Sequence, residues 1–374
     1  MPYDDPNLMA FSGYFEAKEP GRRERAASWA TAIGLQKVDG LITSDYLIEI
    51  AKRHIEGEIS ADKARSIVDC YYETKAGLEL PEDVREADKV AARIIEVIDD
   101  GAFYFDPSYL KGLHGLIFEG VFAHAGSYRE INLRKHEWVL KEDSVTYGPW
   151  RSIESNLEKA FEREREFSYA GVKPREMVAH FTRFISQLWQ IHPFREGNTR
   201  TMAVFAVKYL RMLNIPASND IFAENSWFFR NALVRANYDN PLKGVQRDFV
   251  PLEGFFRNLV LGERNQMKSR FLLIDLDSSK RSELERGHGG RDKTRKRSEK
   301  SGQKKAVRKR GQKTVDRLIG VLQAHPHLTQ MGLVKALGIS SRSTVQKHLA
   351  NLKKAGRIRR VGPDKGGYWE VLPS

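Results

Sequence analysis

The sequence predicts a mainly α-helical fold followed by a second, smaller domain at the C-terminal end. Apolar residues recur at helical spacing through most of residues 84–275, and a densely charged stretch, residues 280–313, separates them from another patterned region. Within the helical part only residues 127–147 read as a β-hairpin, because apolar residues lie among polar ones beside turn-forming residues.

The elements follow in order along the chain. Residues 1–20 lack periodicity and are predicted to form an irregular arm. A helix is expected from Glu24 to a stop at Gly40, and shorter helices over residues 44–56 and 60–75. Further helices are predicted over residues 87–98, 107–118, 152–167, 174–190, 201–213, 226–236 and 251–261. We therefore divide the chain into an N-terminal helical segment (1–80), a core (81–279), a basic flexible linker (280–313) and a C-terminal domain (314–374).

Composition limits the class of protein. The single cysteine, Cys70, cannot form an intramolecular disulfide, and no Cys-x-x-Cys spacing exists to hold zinc. No stretch approaches the ~18 apolar residues of a transmembrane helix, and the first residues lack the features of a secretion signal. We therefore expect a cytoplasmic protein without a membrane partner. Whether the protein forms a homo-oligomer stays open.

The net charge of +13 belongs to the C-terminal quarter. Residues 280–313 carry fifteen Lys and Arg against four Asp and Glu, and residues 314–374 carry ten against three. These two segments therefore hold +11 and +7, which leaves −5 for residues 1–279. A polyanionic partner is expected at the C-terminal end; the alternative is a solvated basic tail.

The segment from His192 to Arg200 is the most informative part of the chain. It reads His-Pro-Phe-Arg-Glu-Gly-Asn-Thr-Arg and lies between two apolar helical stretches. An imidazole can act as a base near neutral pH, and a glutamate oxygen is a suitable Mg²⁺ ligand. The free N–H groups at a helix N-terminus favour anions. Such a set suits a nucleoside triphosphate and its metal ion, whereas a lone histidine at a helix end is usually structural.

This segment resembles the signature loop of the Fic family, His-x-Phe-x-Asp/Glu-Gly-Asn-Gly-Arg-x-x-Arg. The resemblance implies an all-α Fic-type helical core with a β-hairpin flap, and transfer of AMP from Mg-ATP to a Ser, Thr or Tyr hydroxyl of a protein. It assigns His192 as the catalytic base, Glu196 as the Mg²⁺ ligand and Phe194 as an anchor of the loop. The residues expected to contact nucleotide phosphates are Arg195, Gly197, Asn198, Thr199 and Arg200.

Two positions depart from the family pattern. Thr199 stands where the family usually has Gly, and Ala203 stands where it has the second Arg. A β-branched residue makes a positive φ costly, so Thr199 is expected to weaken or alter nucleotide binding. These departures leave open a second interpretation, a DNA-binding transcriptional regulator whose degenerate core senses a nucleotide. UTP as the nucleotide, and phosphoryl transfer as in the related Doc branch, also stay open.

Three further segments are similar to parts of Fic proteins. The predicted hairpin is similar to the flap that aligns the target, with Arg129, Ile131 and Leu133 as docking residues; the alternative is a purely structural hairpin. A later segment resembles the helix beside the base pocket, with Asn231, Asn237 and Tyr238 as candidate contacts. Leu35–Leu41 resembles the inhibitory helix of the antitoxin segment, with Asp39 and Gly40 at its Glu-Gly/Asn positions. Because Ala203 removes the usual arginine partner, we predict a structural helix with weak or absent inhibition; the alternative is inhibition through another basic partner.

Residues 314–372 read as a winged helix-turn-helix. Three short helical patterns are followed by two strands, 357–361 and 368–372, around a Gly-rich tip. Residues expected to contact DNA lie at the start of the third helix and in the wing: Ser341, Arg342, Ser343, Gln346, Lys347, Arg357 and Arg360. A protein-docking module is the alternative for this domain.

Overall fold

The computed structural model divides the chain into two compact units, residues 1–285 and 286–374. It describes residues 6–16, 19–215, 220–274, 318–319, 321–323, 333, 349, 352–353, 357–361 and 368–372. The linker predicted at 280–313 lies outside these residues. No helix in this described part of the chain is long and apolar enough to cross a membrane.

The first unit is built from helices. In chain order the α-helices are α1 (Pro6–Met9), α2 (Ser12–Phe15), α3 (Pro20–Gln36), α4 (Asp45–Glu56), α5 (Ala61–Tyr71), α6 (Lys75–Leu78), α7 (Glu82–Asp99), α8 (Pro107–Phe118), α9 (Ile153–Glu166), α10 (Pro174–Ile191), α11 (Asn198–Met212), α12 (Asp220–Asn237) and α13 (Val250–Leu261). Short 3₁₀ helices lie at Lys37–Asp39, Trp138–Leu140, Trp150–Ser152, Pro241–Lys243 and Ser269–Leu272. The mainly α-helical fold class is confirmed, and so is each helix predicted for the core.

Helix α11 is the central helix of this unit. Every residue from Asn198 to Leu210 is buried, including the polar residues of its first turn. A helix buried on all sides lacks a polar face, and its apolar pattern therefore does not mark its ends. This explains why the sequence places its start at residue 201, three residues late. The N-terminus of α11, where the candidate loop ends, lies inside the protein.

The N-terminal segment shares the apolar core of the rest of the unit. Leu8 and Phe11, in the predicted irregular arm, are buried, and the arm contains α1 and α2. Helix α3 lies so close to α12 that a Cβ atom on Gly34 would be 2.3 Å from the carbonyl oxygen of Ala223. The Ser226 hydroxyl donates a hydrogen bond to the Gly34 carbonyl (2.6 Å). The N-terminal segment is therefore packed against the core along α3, within residues 6–16 and 19–80.

The predicted stop at Gly40 is confirmed. Helix α3 ends at Gln36, and the 3₁₀ helix Lys37–Asp39 follows it directly. Gly40 then has a φ of 76°, in the left-handed region that glycine adopts without a steric penalty. The turn places Asp39 at a fixed position at the end of α3.

The β-hairpin predicted for residues 127–147 is wrong. The structure describes this whole segment and has no strand in it. The chain instead reverses through the 3₁₀ helix Trp138–Leu140. Two successive residues of this turn, Val139 and Leu140, are fully buried, whereas successive residues of a strand point to opposite faces. We refer to residues 127–149 as the 127–149 loop.

The described residues of the second unit form a small apolar cluster. Its members are helical residues at three separate places and one strand residue: Leu318, Ile319, Leu322, Leu333, Leu349, Leu352 and Ile358. Strand β1 (Ile358–Val361) pairs antiparallel with β2 (Tyr368–Val371). The two predicted wing strands are confirmed, and the Gly-rich tip between them lies outside the described residues.

Candidate active site

The segment from His192 to Gly197 connects α10 to α11 inside the protein. It begins and ends with a residue of left-handed backbone conformation: His192 has a φ of 51° and Gly197 a φ of 72°. This conformation is uncommon for residues with a Cβ atom, so His192 needs support from its surroundings. We call residues 192–200 the phosphate loop, after its predicted role.

Asn198 closes the phosphate loop on itself. Its Oδ1 accepts a hydrogen bond from the Phe194 N–H (3.0 Å), and its Nδ2 donates to the Phe194 carbonyl (2.7 Å). Asn198 is buried, and both ends of its amide group are therefore used within the loop. Asn198 therefore holds the loop; because its Nδ2 carries a second N–H, the predicted phosphate contact stays a prediction.

Helix α8 supports the other side of the loop. Phe194 is fully buried and stacks on the ring of His114 at a centroid distance of 3.9 Å, which fits the predicted anchor role. His114 Nε2 lies 3.1 Å from the Glu196 carbonyl oxygen. A Cβ atom on Gly197 would lie 2.4 Å from the ring of Phe118. Both its positive φ and this close contact therefore require glycine at position 197.

Thr199 fits the loop without strain. The residue is in the first turn of α11, in helical conformation, and the positive φ belongs to Gly197 instead. Its Oγ1 accepts a hydrogen bond from the indole N–H of Trp189, at 3.0 Å and buried. The expected backbone penalty at Thr199 is therefore wrong. The hydroxyl joins the last turn of α10 to the first turn of α11.

His192 is a neutral imidazole with one unused nitrogen. Its Nδ1 lies 3.2 Å from the Trp189 carbonyl oxygen, so Nδ1 carries the proton in this contact. Its Nε2 is buried and has no hydrogen-bond partner. Burial lowers the pKa of His192 well below its ordinary value, and the positive charge of Lys135 lowers it further. At neutral pH the Nε2 lone pair is therefore unprotonated, as a general base requires.

Arg200 has three acceptors, and none of them is in the phosphate loop. Its Nη1 donates to Gln36 Oε1 (3.0 Å), and its Nη2 donates to Glu86 Oε1 (2.7 Å). Its Nε forms an ion pair with Asp39 Oδ2 (2.9 Å). The guanidinium carbon also lies 4.8 Å from the centre of the Phe118 ring. Arg200 is 2% exposed and is held by residues of the N-terminal segment and α7.

The N-terminal segment therefore reaches the candidate site. The arginine that usually pairs with this segment is absent, because position 203 is Ala203. Asp39 pairs instead with Arg200, one helical turn nearer the start of α11, which is the other basic partner that stayed open from the sequence. Gly40, also predicted in this segment, ends the turn that positions Asp39.

Glu196 is exposed and lines a cavity of about 410 Å³. The cavity also contains Glu86 and Lys89 from α7, and Phe122 from the segment after α8. Among the described residues no group of three or more His, Cys, Asp or Glu side chains forms a metal site. A Mg²⁺ ion at Glu196 would need its other ligands from phosphate oxygens and water, as is usual for Mg²⁺ bound with a nucleotide. The accessible carboxylate fits that role.

Lys135 is a charged residue of the site that the sequence analysis did not identify. It belongs to the 127–149 loop, and its charge acts on His192, as described above. Burial lowers the pKa of the Lys135 ammonium, while the carboxylates of Asp39, Glu137 and Glu196 favour its charged form. The sequence of residues 127–147 does not distinguish Lys135 from its two basic neighbours, Arg134 and His136. Both neighbours are exposed in the structure.

The residues predicted to dock a target separate into two groups. Ile131 is 51% exposed, and Leu133 lines a cavity of about 540 Å³ at the surface of the 127–149 loop. Arg129 is only 4% exposed, and its guanidinium donates to main-chain carbonyls on both sides of the site. The structure therefore does not place Arg129 on a docking surface. Its contacts were not visible from the sequence, because they join it to residues about 60 positions away.

The 127–149 loop is tied to α12 by a buried ion pair. Arg230 Nη2 lies 3.1 Å from Glu137 Oε2, and Arg230 Nη1 donates to the Val38 carbonyl (2.9 Å). The ring of Tyr147 stacks on the ring of His192 at a centroid distance of 3.9 Å. The loop therefore contacts the candidate base directly, and Arg230 of α12 links it to the turn that carries Asp39.

Two residues of α12 and its end were predicted to line the nucleotide site. Asn231 is 1% exposed, its Nδ2 donates to the Trp227 carbonyl (2.9 Å), and its buried Oδ1 has no partner. Tyr238 lines the 540 Å³ cavity, and its hydroxyl donates to Asp143 Oδ2 (2.8 Å). Asn237, the third candidate, donates hydrogen bonds from Nδ2 to the Ser186 hydroxyl and the Leu233 carbonyl, and its role is therefore structural. Of these three residues, only Tyr238 lines this cavity.

The remaining predicted residues are Arg195 and those of the C-terminal domain. Arg195 is exposed on the phosphate loop. Arg357 precedes β1, and Arg360 pairs with Trp369 in the two-stranded sheet. The five residues predicted for the third helix of the C-terminal domain lie outside the described residues: Ser341, Arg342, Ser343, Gln346 and Lys347.

Comparison with known families defines the class of each region. Residues 104–210, which contain α8 to α10, the phosphate loop and most of α11, match the family model of the Fic/DOC family. Residues 317–367 match the family model of the MarR family. The chain thus carries a Fic/DOC domain followed by a MarR-type winged helix domain.

Individual proteins resemble parts of the chain. It is 28% identical over 102 residues to the protein adenylyltransferase VbhT of Bartonella schoenbuchensis, a match that covers 27% of this chain and 20% of that protein. The chain thus spans about a fifth of the length of that relative. A Fic family protein from Desulfovibrio desulfuricans G20 is similar at 16% identity and a TM-score of 0.39, covering 100% of this chain and 98% of its own. The N-terminal Fic domain of a Bartonella effector protein from Bartonella sp. AR 15-3 is similar at 19% identity and a TM-score of 0.39, covering 49% and 84%.

The role of Thr199 gives a testable prediction. Thr199→Val keeps the shape of the side chain but leaves the buried indole N–H of Trp189 without an acceptor, so we expect it to destabilise the protein by about 1–3 kcal/mol. Thr199→Ser keeps the hydroxyl and is the matched control. Urea denaturation followed by tryptophan fluorescence measures both. Equal stability of the two variants would contradict the proposed link between α10 and α11.

Proposed function

We propose that the Fic/DOC domain is a protein adenylyltransferase that transfers AMP from Mg-ATP to a hydroxyl group of a protein, with His192 as the base. The observation that carries this proposal is the buried, unpartnered Nε2 of His192 at the start of the phosphate loop. A purely structural histidine would be expected to use both ring nitrogens in hydrogen bonds. The similarity to an adenylyltransferase over 102 residues supports the same reaction class.

The proposed reaction has one proton transfer and one displacement. His192 Nε2 accepts the proton of a Ser, Thr or Tyr hydroxyl, and the hydroxyl oxygen attacks the α-phosphorus of ATP. The bond from the α-phosphorus to the bridging oxygen breaks, AMP is joined to the protein, and pyrophosphate leaves. The imidazolium formed on His192 then returns its proton to solvent.

Two other parts of the loop support a bound triphosphate. The N-terminus of α11, with its unpaired N–H groups and partial positive charge, favours phosphate oxygens next to Gly197. Glu196 would hold Mg²⁺, which, when bound, neutralises charge on the phosphates. Lys135 contributes a positive charge that acts on His192, and its burial strengthens its interaction with an anion.

We also infer that Asp39 restrains the activity. A phosphate group and the Asp39 carboxylate compete for the same guanidinium, because Arg200 is buried and its hydrogen bonds to Gln36 and Glu86 fix its position. The absent arginine at position 203 favoured weak or no inhibition by this segment, whereas the Asp39–Arg200 ion pair favours inhibition.

A second activity, DNA binding, is proposed for the C-terminal domain. The match to the MarR family over residues 317–367 and the net charge of +7 over residues 314–374 favour it. The combination leaves a second candidate for the whole chain, a DNA-binding regulator whose Fic/DOC domain binds a nucleotide without transferring it. Transfer of AMP to a protein would distinguish the enzyme from the nucleotide-binding regulator.

The first test is intact-protein mass spectrometry after incubation with Mg-ATP. We expect wild type to gain the mass of AMP, on itself or on a protein in an added cell lysate, because His192 can take the proton of an acceptor hydroxyl. His192→Ala should gain nothing, while the control His180→Gln, on the same helix but away from the loop, should behave as wild type. The mass gain also separates transfer of AMP from transfer of phosphate. No gain in wild type or variant, with nucleotide binding retained, would contradict adenylyl transfer and favour the nucleotide-binding regulator.

The role of Asp39 is tested by its removal. Asp39→Ala should raise the rate of AMP transfer about two- to five-fold, since a partly exposed ion pair contributes about 1 kcal/mol or less. Glu49→Ala removes an exposed carboxylate of the same segment that pairs with Lys52, and it should leave the rate unchanged. An unchanged or lower rate in Asp39→Ala would show that the ion pair has only a structural role.

A further inference from the structure

Arg129 is a buried cation without a counter-ion. Its residue exposure is 4%, and no carboxylate among the described residues lies within ion-pair distance of its guanidinium. Burying an uncompensated charge costs several kcal/mol unless hydrogen bonds satisfy it. Burial accordingly lowers the pKa of Arg129 from its ordinary value, although arginine stays protonated near neutral pH. A buried charge of this cost is expected to have a definite role in the protein.

The guanidinium of Arg129 donates only to main-chain carbonyls. Its Nε donates to the carbonyl of His192 (2.7 Å), and its Nη2 donates to the carbonyl of Ile191 (3.2 Å). The other two acceptors, the carbonyls of Ile131 (2.6 Å) and Gly148, belong to the 127–149 loop. The main-chain N–H of the same residue donates to the Pro193 carbonyl (2.9 Å). One side chain therefore holds the end of α10 and both ends of the 127–149 loop.

These contacts fall where the backbone most needs support. His192 has a positive φ of 51° although it has a Cβ atom, and it ends α10. The last carbonyls of a helix have no intrahelical partner, and a cation placed there is favourable. Arg129 satisfies two of these carbonyls and thereby holds the His192 backbone in its left-handed conformation. The ring of Tyr147, next to Gly148, packs on the His192 ring at 3.9 Å.

We propose that Arg129 is a positioning residue that joins the 127–149 loop to His192, so that the base and the loop above it move as one body. This inference rests on the proposed transferase function. It assigns Arg129 no contact with the nucleotide or the acceptor. Its effect is on the direction of the His192 ring, and the planar fork of arginine is needed because four carbonyls in different directions must be reached.

The test compares Arg129→Met, Arg129→Lys and the control Arg134→Met in the full chain. Arg134 lies on the same loop, its side chain is 73% exposed, and it has only a 3.9 Å contact with Asp143. We expect both Arg129 variants to bind a non-hydrolysable ATP analogue within about two-fold of wild type by calorimetry. Their rate of AMP transfer should fall about 100-fold, because a displacement of about 1 Å at the reacting groups has an effect of that size. The control should keep both properties.

A second readout does not depend on activity. In the nucleotide-free protein, hydrogen exchange should become faster at the amides of residues 127–149 and 188–194 in both Arg129 variants, and not in Arg134→Met. Circular dichroism checks folding; should Arg129→Met fail to fold, the milder Arg129→Lys decides the question.

The outcomes separate the two proposals. Wild-type transfer rates in both variants, or an equal loss of nucleotide binding and transfer, would overturn the positioning role. If wild type itself transfers nothing, the proposed function fails, and the exchange data alone decide whether Arg129 joins the loop to His192. Unchanged exchange in the Arg129 variants would then overturn this inference as well.

Discussion

The chain reversal between α10 and α11 lies inside the protein, so every polar group of that turn needs a partner there. Buried backbone groups without partners are costly, and this reversal also includes two left-handed residues. The structure satisfies the turn from three sides. Asn198 closes it internally, His114 binds it from α8, and Arg129 binds it from the 127–149 loop. The Nε2 atom of His192 is a buried side-chain atom of this turn without a hydrogen-bond partner, and it is the basis of the functional proposal.

The buried position of this chain reversal also determines where the charged side chains around it lie. Arg200 is buried at the start of α11 and draws acceptors from three segments: Gln36, Asp39 and Glu86. Arg230 joins Glu137 of the 127–149 loop to the carbonyl that precedes Asp39. The N-terminal segment is therefore an electrostatic part of the site as well as part of the apolar core. A ligand phosphate entering here meets a set of charges that is already paired.

The helices could be predicted from the sequence because most of them bury one face, and a period of 3.6 residues shows this directly. The 127–149 loop could not, since its buried residues, Val139 and Leu140, follow each other and fit neither a helical nor a strand period. The members of the phosphate loop were recognisable from residue type and spacing. The partners of those members were not: Asp39 and Arg200 are 161 positions apart, and no local pattern records that they meet. Thr199 shows the same limit, because its acceptor role depends on the position of Trp189 in space.

The structure shows how the chain accommodates its two departures from the Fic signature. Thr199 replaces a glycine without demanding a left-handed backbone, since Gly197 supplies that conformation. Ala203 is fully buried in the middle of α11, where a guanidinium would need acceptors of its own. The pairing role expected of an arginine at that position is taken by Arg200. The departures are therefore compatible with a site that works through a different pair of charges.

The most direct test of the central claim is a crystal structure of the protein with Mg²⁺ and a non-hydrolysable ATP analogue. The account predicts phosphates along residues 196–200, Mg²⁺ on Glu196, and the α-phosphorus next to Nε2 of His192, with the phosphate loop unchanged in backbone. A nucleotide bound elsewhere, or a phosphate loop whose bound nucleotide leaves Nε2 of His192 out of reach of the α-phosphorus, would contradict it.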